Sequence, residues 1–121
     1  MKPDATTRWE EVEERASGLR REGRLDEAAA MYHASLDRFP DNIVLLNGLG
    51  LVLLDAGRPA DALPFLERAV RQSPETPALV YNLGNALSAS GNPQPAVACY
   101  ERAIALGLDL RSEERRVGKE C

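Results

Sequence analysis

The sequence predicts an all-α fold, an α-solenoid of three 34-residue helix–turn–helix repeats. Similar residues recur at a step of 34 at four places in the repeat. The composition agrees, because the chain is 44% hydrophobic but only 5% aromatic. A fixed period of this length indicates stacked supersecondary units. The recurring sets are Gly23, Gly57 and Gly91; Ala28, Ala62 and Ala96; Leu19, Leu53 and Leu87; and Tyr32, Leu66 and Tyr100.

Each repeat is predicted to hold two helices. Thr7 with Glu10 forms a capping-box pattern before the first helix, and Asp26 is the expected N-cap of the second. The recurring glycines suit left-handed helix ends. Pro64 lies inside the fourth helix, where we expect a mild bend on an exposed face. Apolar periodicity and these end signals place the helices at 8–22, 26–39, 43–56, 59–72, 77–90 and 93–107.

Small residues are predicted to let the two helices of a repeat approach closely. Gly50 and Gly84 share one place in the repeat, and Ala16 holds that place in the first copy. Larger side chains then fill the remaining space. The residues expected to build the repeats are therefore Gly50, Gly84, Ala28, Ala62, Ala96, Tyr32, Leu66 and Tyr100.

Charge and composition argue against several classes of function. The net charge is −4, and the sequence lacks the cluster of basic residues that binding to nucleic acid requires. The sequence has no run of 18 apolar residues, so no membrane span is predicted. Its N-terminus lacks the apolar region of a secretory signal. The two cysteines have no metal-ligand spacing, which fits a reducing compartment. We therefore expect a cytoplasmic protein that does not bind membranes.

No catalytic, metal or cofactor site is predicted. His33 is the only histidine, and a lone helical histidine is usually a surface or packing residue. Cys99 has no histidine near it in the repeat and suits packing better than nucleophilic chemistry. We therefore expect no enzymatic activity from these residues.

The last eleven residues, 111–121, break the repeat register and read RSEERRVGKEC. This string resembles the conceptual translation of a widely used sequencing adapter, and a charged, solvated segment is the alternative interpretation. We interpret it as an artefactual tail and exclude it from the fold. The expectation that follows is that the natural chain continues beyond residue 110.

The repeat pattern resembles the tetratricopeptide repeat, a 34-residue helix–turn–helix unit. The second repeat carries typical residues at eight places and the third at seven, whereas the first is degenerate, with Arg15 and Ser35 at two of them. The resemblance implies a right-handed superhelix. Its domains would be a lead at 1–8, repeats at 9–42, 43–76 and 77–110, and the tail. The matching residues are Leu46, Leu49, Gly50, Leu53, Ala62, Leu66, Ala69 and Pro74, and then Val80, Leu83, Gly84, Leu87, Ala96, Tyr100 and Ala103.

The resemblance also implies a concave groove, lined by the first helix of each repeat, that binds a peptide. An asparagine amide both donates and accepts hydrogen bonds, so it suits an extended peptide backbone. Asparagine can also be a solvated helix residue, and Leu51 or Leu54 could instead pack between repeats. The groove residues that it implies are Glu10, Glu13, Ser17, Arg20, Val44, Asn47, Leu51, Leu54, Ala78, Tyr81, Asn82, Asn85 and Ser88, and those proposed to touch a peptide are Asn47, Leu51, Leu54, Tyr81, Asn82, Asn85 and Ser88.

Relatives that grip the C-terminal carboxylates of chaperones use basic residues at set groove places. Those places hold Glu13, Ser17, Ala78 and Asn82 here, so this clamp is not expected.

Three functions fit the scaffold. The first is a protein-interaction module that binds a peptide or partner in the groove. The second is the N-terminal repeat region of a truncated enzyme, with a glycosyltransferase-like or sulfotransferase-like catalytic domain downstream. The third is a structural role in which repeats stack between subunits.

Overall fold

The computed structural model describes residues 8–108, and within them the chain is entirely helical apart from its turns. The predicted tail and Thr7 lie outside the described residues. Each observed helix begins and ends within two residues of its predicted ends. The helices are α1 (Trp9–Arg21), α2 (Leu25–Arg38), α3 (Ile43–Asp55), α4 (Pro59–Gln72), α5 (Pro77–Ala89) and α6 (Pro93–Ala105).

The helices stack as three antiparallel pairs, each with a first or A helix (α1, α3, α5) and a second or B helix (α2, α4, α6). Each helix packs on the next one along the chain, and the A helices also contact one another, α1 with α3 and α3 with α5. Each of the first two B helices therefore lies between its own A helix and the A helix of the next repeat. This arrangement confirms the predicted all-α solenoid.

Glycine ends each A helix in the left-handed conformation, as predicted. The φ angles of Gly23, Gly57 and Gly91 are +80°, +75° and +87°. In each case the following N–H reaches back five residues, as in Arg24 N–H to the Leu19 carbonyl at 2.9 Å. This is the Schellman arrangement, in which glycine avoids the steric cost of positive φ. The recurring glycines and the leucines at the eleventh place of each repeat thus form the same C-terminal helix cap.

The glycines inside α3 and α5 mark close helix contacts. A Cβ at Gly84 would lie 2.9 Å from Tyr100 Cε1, and one at Gly50 would overlap the Leu66 side chain. Both contacts are within a repeat, as predicted. Tyr32 and Leu66 are 1% and 0% exposed, and the alanines expected in the core are fully buried.

Gly48 is a close contact that the repeat pattern did not indicate. A Cβ there would lie 2.6 Å from Cε1 and from the hydroxyl of Tyr32, in the preceding repeat. The first repeat has Ala16 where the later ones have Gly50 and Gly84. Ala16 is fully buried, and the Tyr32 ring lies against Gly48 of α3. Gly48 therefore makes room between repeats rather than within one.

Two predicted caps are wrong. The first helix begins at Trp9 with Arg8 as its N-cap residue, so Glu10 is one place too early for a capping box and pairs with Arg8 at 3.3 Å. The second helix begins at Leu25 with Arg24 as its N-cap residue, so Asp26 lies within the first turn. A side-chain cap that was not predicted occurs at α3, where Asn42 Oδ1 accepts from the Leu45 N–H at 3.1 Å.

Two arginines of B helices bond the turn that follows the preceding B helix. Arg68 donates to the Pro40 carbonyl at 2.6 Å, and Arg102 donates to the Pro74 carbonyl at 3.1 Å. Both pairs are 28 residues apart and hold equivalent places in the repeat. Each carbonyl belongs to the proline two residues after the end of the preceding B helix, and a charged donor strengthens the bond. The inter-repeat spacing is thus tied at two points. Pro64 is exposed on α4, as expected.

Candidate protein-interaction surface

The three A helices form a continuous wall, because α3 contacts both α1 and α5. The side chains predicted to touch a peptide lie on α3 and α5, and most of them are half-buried, with Ser88 exposed. Partial exposure leaves them packed well enough to be held in place and open enough to meet a ligand. We call these seven side chains, together with Glu13 and Arg20 of α1, the A-helix surface; the seven are Asn47, Leu51, Leu54, Tyr81, Asn82, Asn85 and Ser88.

Asn47 and Asn82 meet across neighbouring A helices. Asn82 Nδ2 donates to Asn47 Oδ1 at 3.0 Å, and both side chains are half-buried. An asparagine amide has two N–H donors and an oxygen with two lone pairs. The mutual bond engages only one donor of Asn82 and one lone pair of Asn47. The pair therefore holds two amides in fixed positions with hydrogen-bonding capacity to spare.

Asn85 bonds within its own repeat instead. The Tyr100 hydroxyl donates to Asn85 Oδ1 at 2.7 Å. The Tyr81 and Tyr100 rings lie 5.6 Å apart at an angle of 52°, within the range of favourable aromatic pairs. Burial is the largest cause that raises the pKa of the Tyr100 hydroxyl. Asn85 is thus held by Tyr100, and Tyr81 connects the A-helix surface to α6.

Leu54 is partly buried and packs against the buried core cluster. Leu51 is half-buried, and Val44 remains 40% exposed. Leu54 therefore contributes mainly to the core, whereas Leu51 keeps part of its apolar surface on the wall.

The charged groups of the wall lie on α1 and at the end of α3. Arg20 donates to Asp55 at 2.6 Å, which joins α1 to α3. The Tyr32 hydroxyl donates to Glu13 Oε2 at 3.0 Å. Desolvation raises the pKa of the Glu13 carboxyl, against the opposing effects of the Tyr32 bond and the charge of Arg20. Burial, reinforced by the Glu13 carboxylate, also raises the pKa of Tyr32.

The raised pKa of Glu13 predicts a pH-dependent effect of Glu13→Gln. The pKa of Glu13 is higher in the folded chain than in the unfolded chain. The stability that the protonated carboxyl contributes is therefore complete below the pKa of the unfolded chain, and it is lost as the pH rises through the pKa of the folded chain. Glutamine still accepts from Tyr32 and carries no charge to desolvate. We expect Glu13→Gln to be more stable than the natural chain at pH 7, by less than about 1 kcal/mol for a half-exposed group.

Urea unfolding at pH 7 and pH 4 measures this difference, which should shrink at the lower pH. Glu14→Gln, at an exposed neighbour on α1, is the matched control. A Glu13→Gln chain that is less stable at pH 7 would contradict the expectation.

A cavity of about 340 Å³ opens at the end of the array, lined by Tyr81, Tyr100, Ile104 and Leu108. Its apolar side chains hold the repeat places of Tyr32, Leu36 and Pro40, so the 34-residue step is the signal that could have located it. Exposure of Ile104 is 51%. The cavity adjoins the A-helix surface, because Tyr81 belongs to both and Tyr100 bonds Asn85.

His33 and Cys99 both lie on B helices. The His33 ring meets Phe65 edge-on, with centroids 5.5 Å apart, which is a packing contact between α2 and α4. Burial raises the pKa of the Cys99 thiol, against the opposing charge of Arg102, and so disfavours the reactive thiolate. Among residues 8–108, no group of three or more histidine, cysteine or acidic residues could hold a metal ion. No helix in that range is long and apolar enough to cross a membrane.

Comparison with solved structures identifies proteins of the same architecture. MamA from Desulfovibrio magneticus RS-1 superimposes with a TM-score of 0.76 at 23% identity, over 81% of this chain and 55% of that one. An O-GlcNAc transferase from Thermobaculum terrenum gives 0.75 at 30% identity, over 81% of this chain and 19% of that one. The second tetratricopeptide repeat domain of Spaghetti (RPAP3), bound to an HSP90 peptide, gives a TM-score of 0.75 at 18% identity, over 79% of this chain and 89% of that one.

The chain thus spans about half the length of the MamA chain that it matches. No significant match was found among curated proteins. Two family models, both described as tetratricopeptide repeat, match residues 14–77 and 53–110. The chain belongs to the tetratricopeptide repeat family.

Proposed function

We propose that the chain is a protein-interaction scaffold that binds an extended peptide segment along the concave groove of its A helices. The observation that carries this proposal is the pair of half-buried asparagines, Asn47 and Asn82, joined at 3.0 Å across α3 and α5. Fixing the two amides before binding reduces the entropy lost when a ligand is captured. Their remaining donors and lone pairs suit peptide N–H and carbonyl groups.

Neighbouring side chains supply apolar area for the peptide. Tyr81 offers a broad ring with a polar tip, and such residues often anchor interfaces. Leu51 and Ser88 lie on the same helices and complete a surface of mixed polarity. The mixture favours a segment in extended conformation, held through its backbone and one or two apolar side chains.

The charges of the A helices favour an uncharged or basic peptide over an acidic one. The RPAP3 domain is bound to the HSP90 peptide SRMEEVD. In this chain α3 and α5 contain no lysine or arginine, and the one basic residue of the A-helix surface, Arg20, is paired with Asp55 at 2.6 Å. Carboxylates are held most strongly by unpaired basic groups. A clamp for acidic C-termini is therefore not part of the proposal.

Peptide selection tests the groove. Peptides are selected from a random display library on the full chain. They should bind the double variant Asn47→Ala, Asn82→Ala at least about tenfold more weakly, because the hydrogen bonds between the asparagine amides and the peptide backbone are lost. Fluorescence anisotropy measures the affinities. The matched control is Gln72→Ala, Gln94→Ala, which removes two exposed amides from B helices. Equal affinity of the asparagine variant and the natural chain would refute groove binding.

A second candidate is the repeat region of an enzyme. The similarity to the Thermobaculum terrenum O-GlcNAc transferase, which covers 19% of that chain, favours it. The source gene read beyond codon 110 tests this candidate. A catalytic domain encoded in the same frame would support it, and a stop codon or further repeats alone would count against it.

A further inference from the structure

We infer that the groove selects peptides that carry a lysine or arginine, and that the Glu13 carboxylate on α1 holds this basic side chain. The inference rests on the proposed function, because it requires a peptide in extended conformation along the A helices. The basic residue of the peptide is expected about five or six places from an apolar residue that contacts Tyr81. Three side chains that hold the same place in successive repeats carry the argument, and we call them the selectivity row: Glu13, Asn47 and Tyr81.

The selectivity row changes in chemistry from one end to the other. Glu13 on α1 is an acid, Asn47 on α3 is a neutral amide and Tyr81 on α5 is aromatic, and all three are half-buried. α3 contacts both α1 and α5, so the three helices follow one another along the wall. Packed helices lie about 8–10 Å apart, and an extended peptide advances about 3.3 Å per residue. A peptide that crosses two helix spacings therefore meets the two ends of the row with residues about five or six places apart.

Different donors hold the first two members of the row. At the contact of α3 with α5, Asn82 donates to Asn47 Oδ1 at 3.0 Å. Gly48 holds the place of Asn82 one repeat earlier and has no side chain that could donate. The Tyr32 hydroxyl donates to Glu13 instead, at 3.0 Å, and a Cβ on Gly48 would lie 2.6 Å from the oxygen of that hydroxyl. Glycine at residue 48 thus makes room for the hydroxyl that holds the carboxyl.

The bond from Tyr32 fixes the Glu13 carboxyl and leaves most of its hydrogen-bonding capacity for a ligand. Tyr32 is 1% exposed, so its ring and hydroxyl are held in place. An ionised carboxylate has about four lone-pair sites, and the hydroxyl takes one of them. Arg20, whose charge acts on Glu13, donates to Asp55 at 2.6 Å. An acceptor that is fixed before binding loses little entropy when it captures a cation, and the charge strengthens the bond.

The bond to Tyr32 does not by itself require a charged acceptor at residue 13, because a glutamine oxygen would accept it equally well. Burial raises the pKa of Glu13, so the ionised form is disfavoured in the folded chain. The chain therefore keeps a charge that lowers its stability, and a cationic side chain of a ligand is the partner that offsets this loss. The rest of the wall does not compete for the cation, because α5 has no charged residue and Asp55, the one charged residue of α3, is paired with Arg20.

Peptide selection on matched variants tests the inference. A display library of about twelve random residues, which is longer than the row, is selected on the natural chain, on Glu13→Gln and on Glu13→Lys. Peptides from the natural chain should be enriched in lysine or arginine at one place, with an apolar residue about five or six places away. Glu13→Gln should lose the basic enrichment, and Glu13→Lys should replace it with aspartate or glutamate. Glu14→Gln removes an equal charge from an exposed place on α1 and should leave the enrichment unchanged.

A double-mutant cycle measures the contact itself. The tightest peptide selected on the natural chain is compared, by fluorescence anisotropy, with a version that has glutamine in place of its basic residue. Glu13→Gln should weaken binding of the basic peptide about fivefold, because a charge-assisted contact is lost. The same variant should bind the glutamine peptide as the natural chain does. The difference should shrink at high salt, which screens a half-exposed ion pair.

The outcomes separate this inference from the groove proposal. A selection without basic enrichment, an enrichment that Glu13→Gln keeps, or equal losses for both peptides in the cycle would overturn the inference. If the same peptides still bind Asn47→Ala, Asn82→Ala more weakly, the groove proposal stands and only the role of Glu13 fails. If that double variant binds them as the natural chain does, the groove proposal fails and this inference fails with it.

Discussion

Replacing Gly48 by leucine is expected to lower the free energy of unfolding by about 1–3 kcal/mol. The physical reason is that any Cβ at this place overlaps the Tyr32 ring, which is 1% exposed and has no free space to move into. Urea unfolding followed by circular dichroism measures the loss. Gly18→Leu is the matched control, because Gly18 is a helical glycine whose nearest neighbour would be 3.7 Å from a Cβ. That variant should be neutral or stabilised by up to about 1 kcal/mol, because it gains helix propensity.

A double variant tests whether the overlap itself is responsible. Leu66 and Asn82 hold the repeat places of Tyr32 and Gly48, and they coexist one repeat later. Tyr32→Leu removes the ring atoms that a side chain at residue 48 would meet. Gly48→Asn should therefore cost less in the Tyr32→Leu background than in the natural chain, with a coupling of about 0.5–3 kcal/mol. Strictly additive losses would contradict the steric explanation.

Repetition is what made most of the fold predictable. The glycines at 23, 57 and 91 sit at the same place in three copies, and the structure gives all three the same left-handed φ. Gly48 was missed because its place holds Glu14 and Asn82 in the other copies, so no repeat signal marks it. Its role depends on Tyr32, a residue in the preceding repeat. Asp26 was wrong as a cap because helix composition does not fix a helix start to one residue.

The candidate surface shows a similar limit. The resemblance placed Asn47, Asn82 and Asn85 on the A helices, but not the pairing of Asn82 with Asn47 or of Asn85 with Tyr100. Both bonds between neighbouring A helices, Arg20 with Asp55 and Asn82 with Asn47, join residues 35 apart. One period plus one residue is thus the separation at which neighbouring A helices meet. This separation of 35 residues depends on the rotation between successive repeats, and the periodicity of the sequence does not determine that rotation.

Leu66→Ala is expected to cost about 2–5 kcal/mol, the usual range for emptying a buried leucine site. Leu66 is 0% exposed and lies against Gly50, on a helix, α4, that packs on both α3 and α5. Tyr100 holds the same place one repeat later and has a larger side chain, so size alone would rank Tyr100→Ala as the more damaging change. The structure reverses that ranking, because Tyr100 lies half-exposed at the open cavity.

The ranking follows from what each alanine would leave behind. Removing Leu66 leaves an enclosed cavity between two repeats, and its walls lose their contacts on both sides. Removing Tyr100 enlarges a space that is already open to solvent, so the loss is limited to its packing on Gly84, its ring contact with Tyr81 and its bond to Asn85. We expect Tyr100→Ala to be at least about 1 kcal/mol less damaging than Leu66→Ala in urea unfolding. Tyr32→Ala, at the same place under α3, serves as the buried tyrosine control and should cost about 3–5 kcal/mol. If Tyr100→Ala were as damaging as Tyr32→Ala, then Tyr100 would be covered in solution, and the cavity beside it would not be open to solvent.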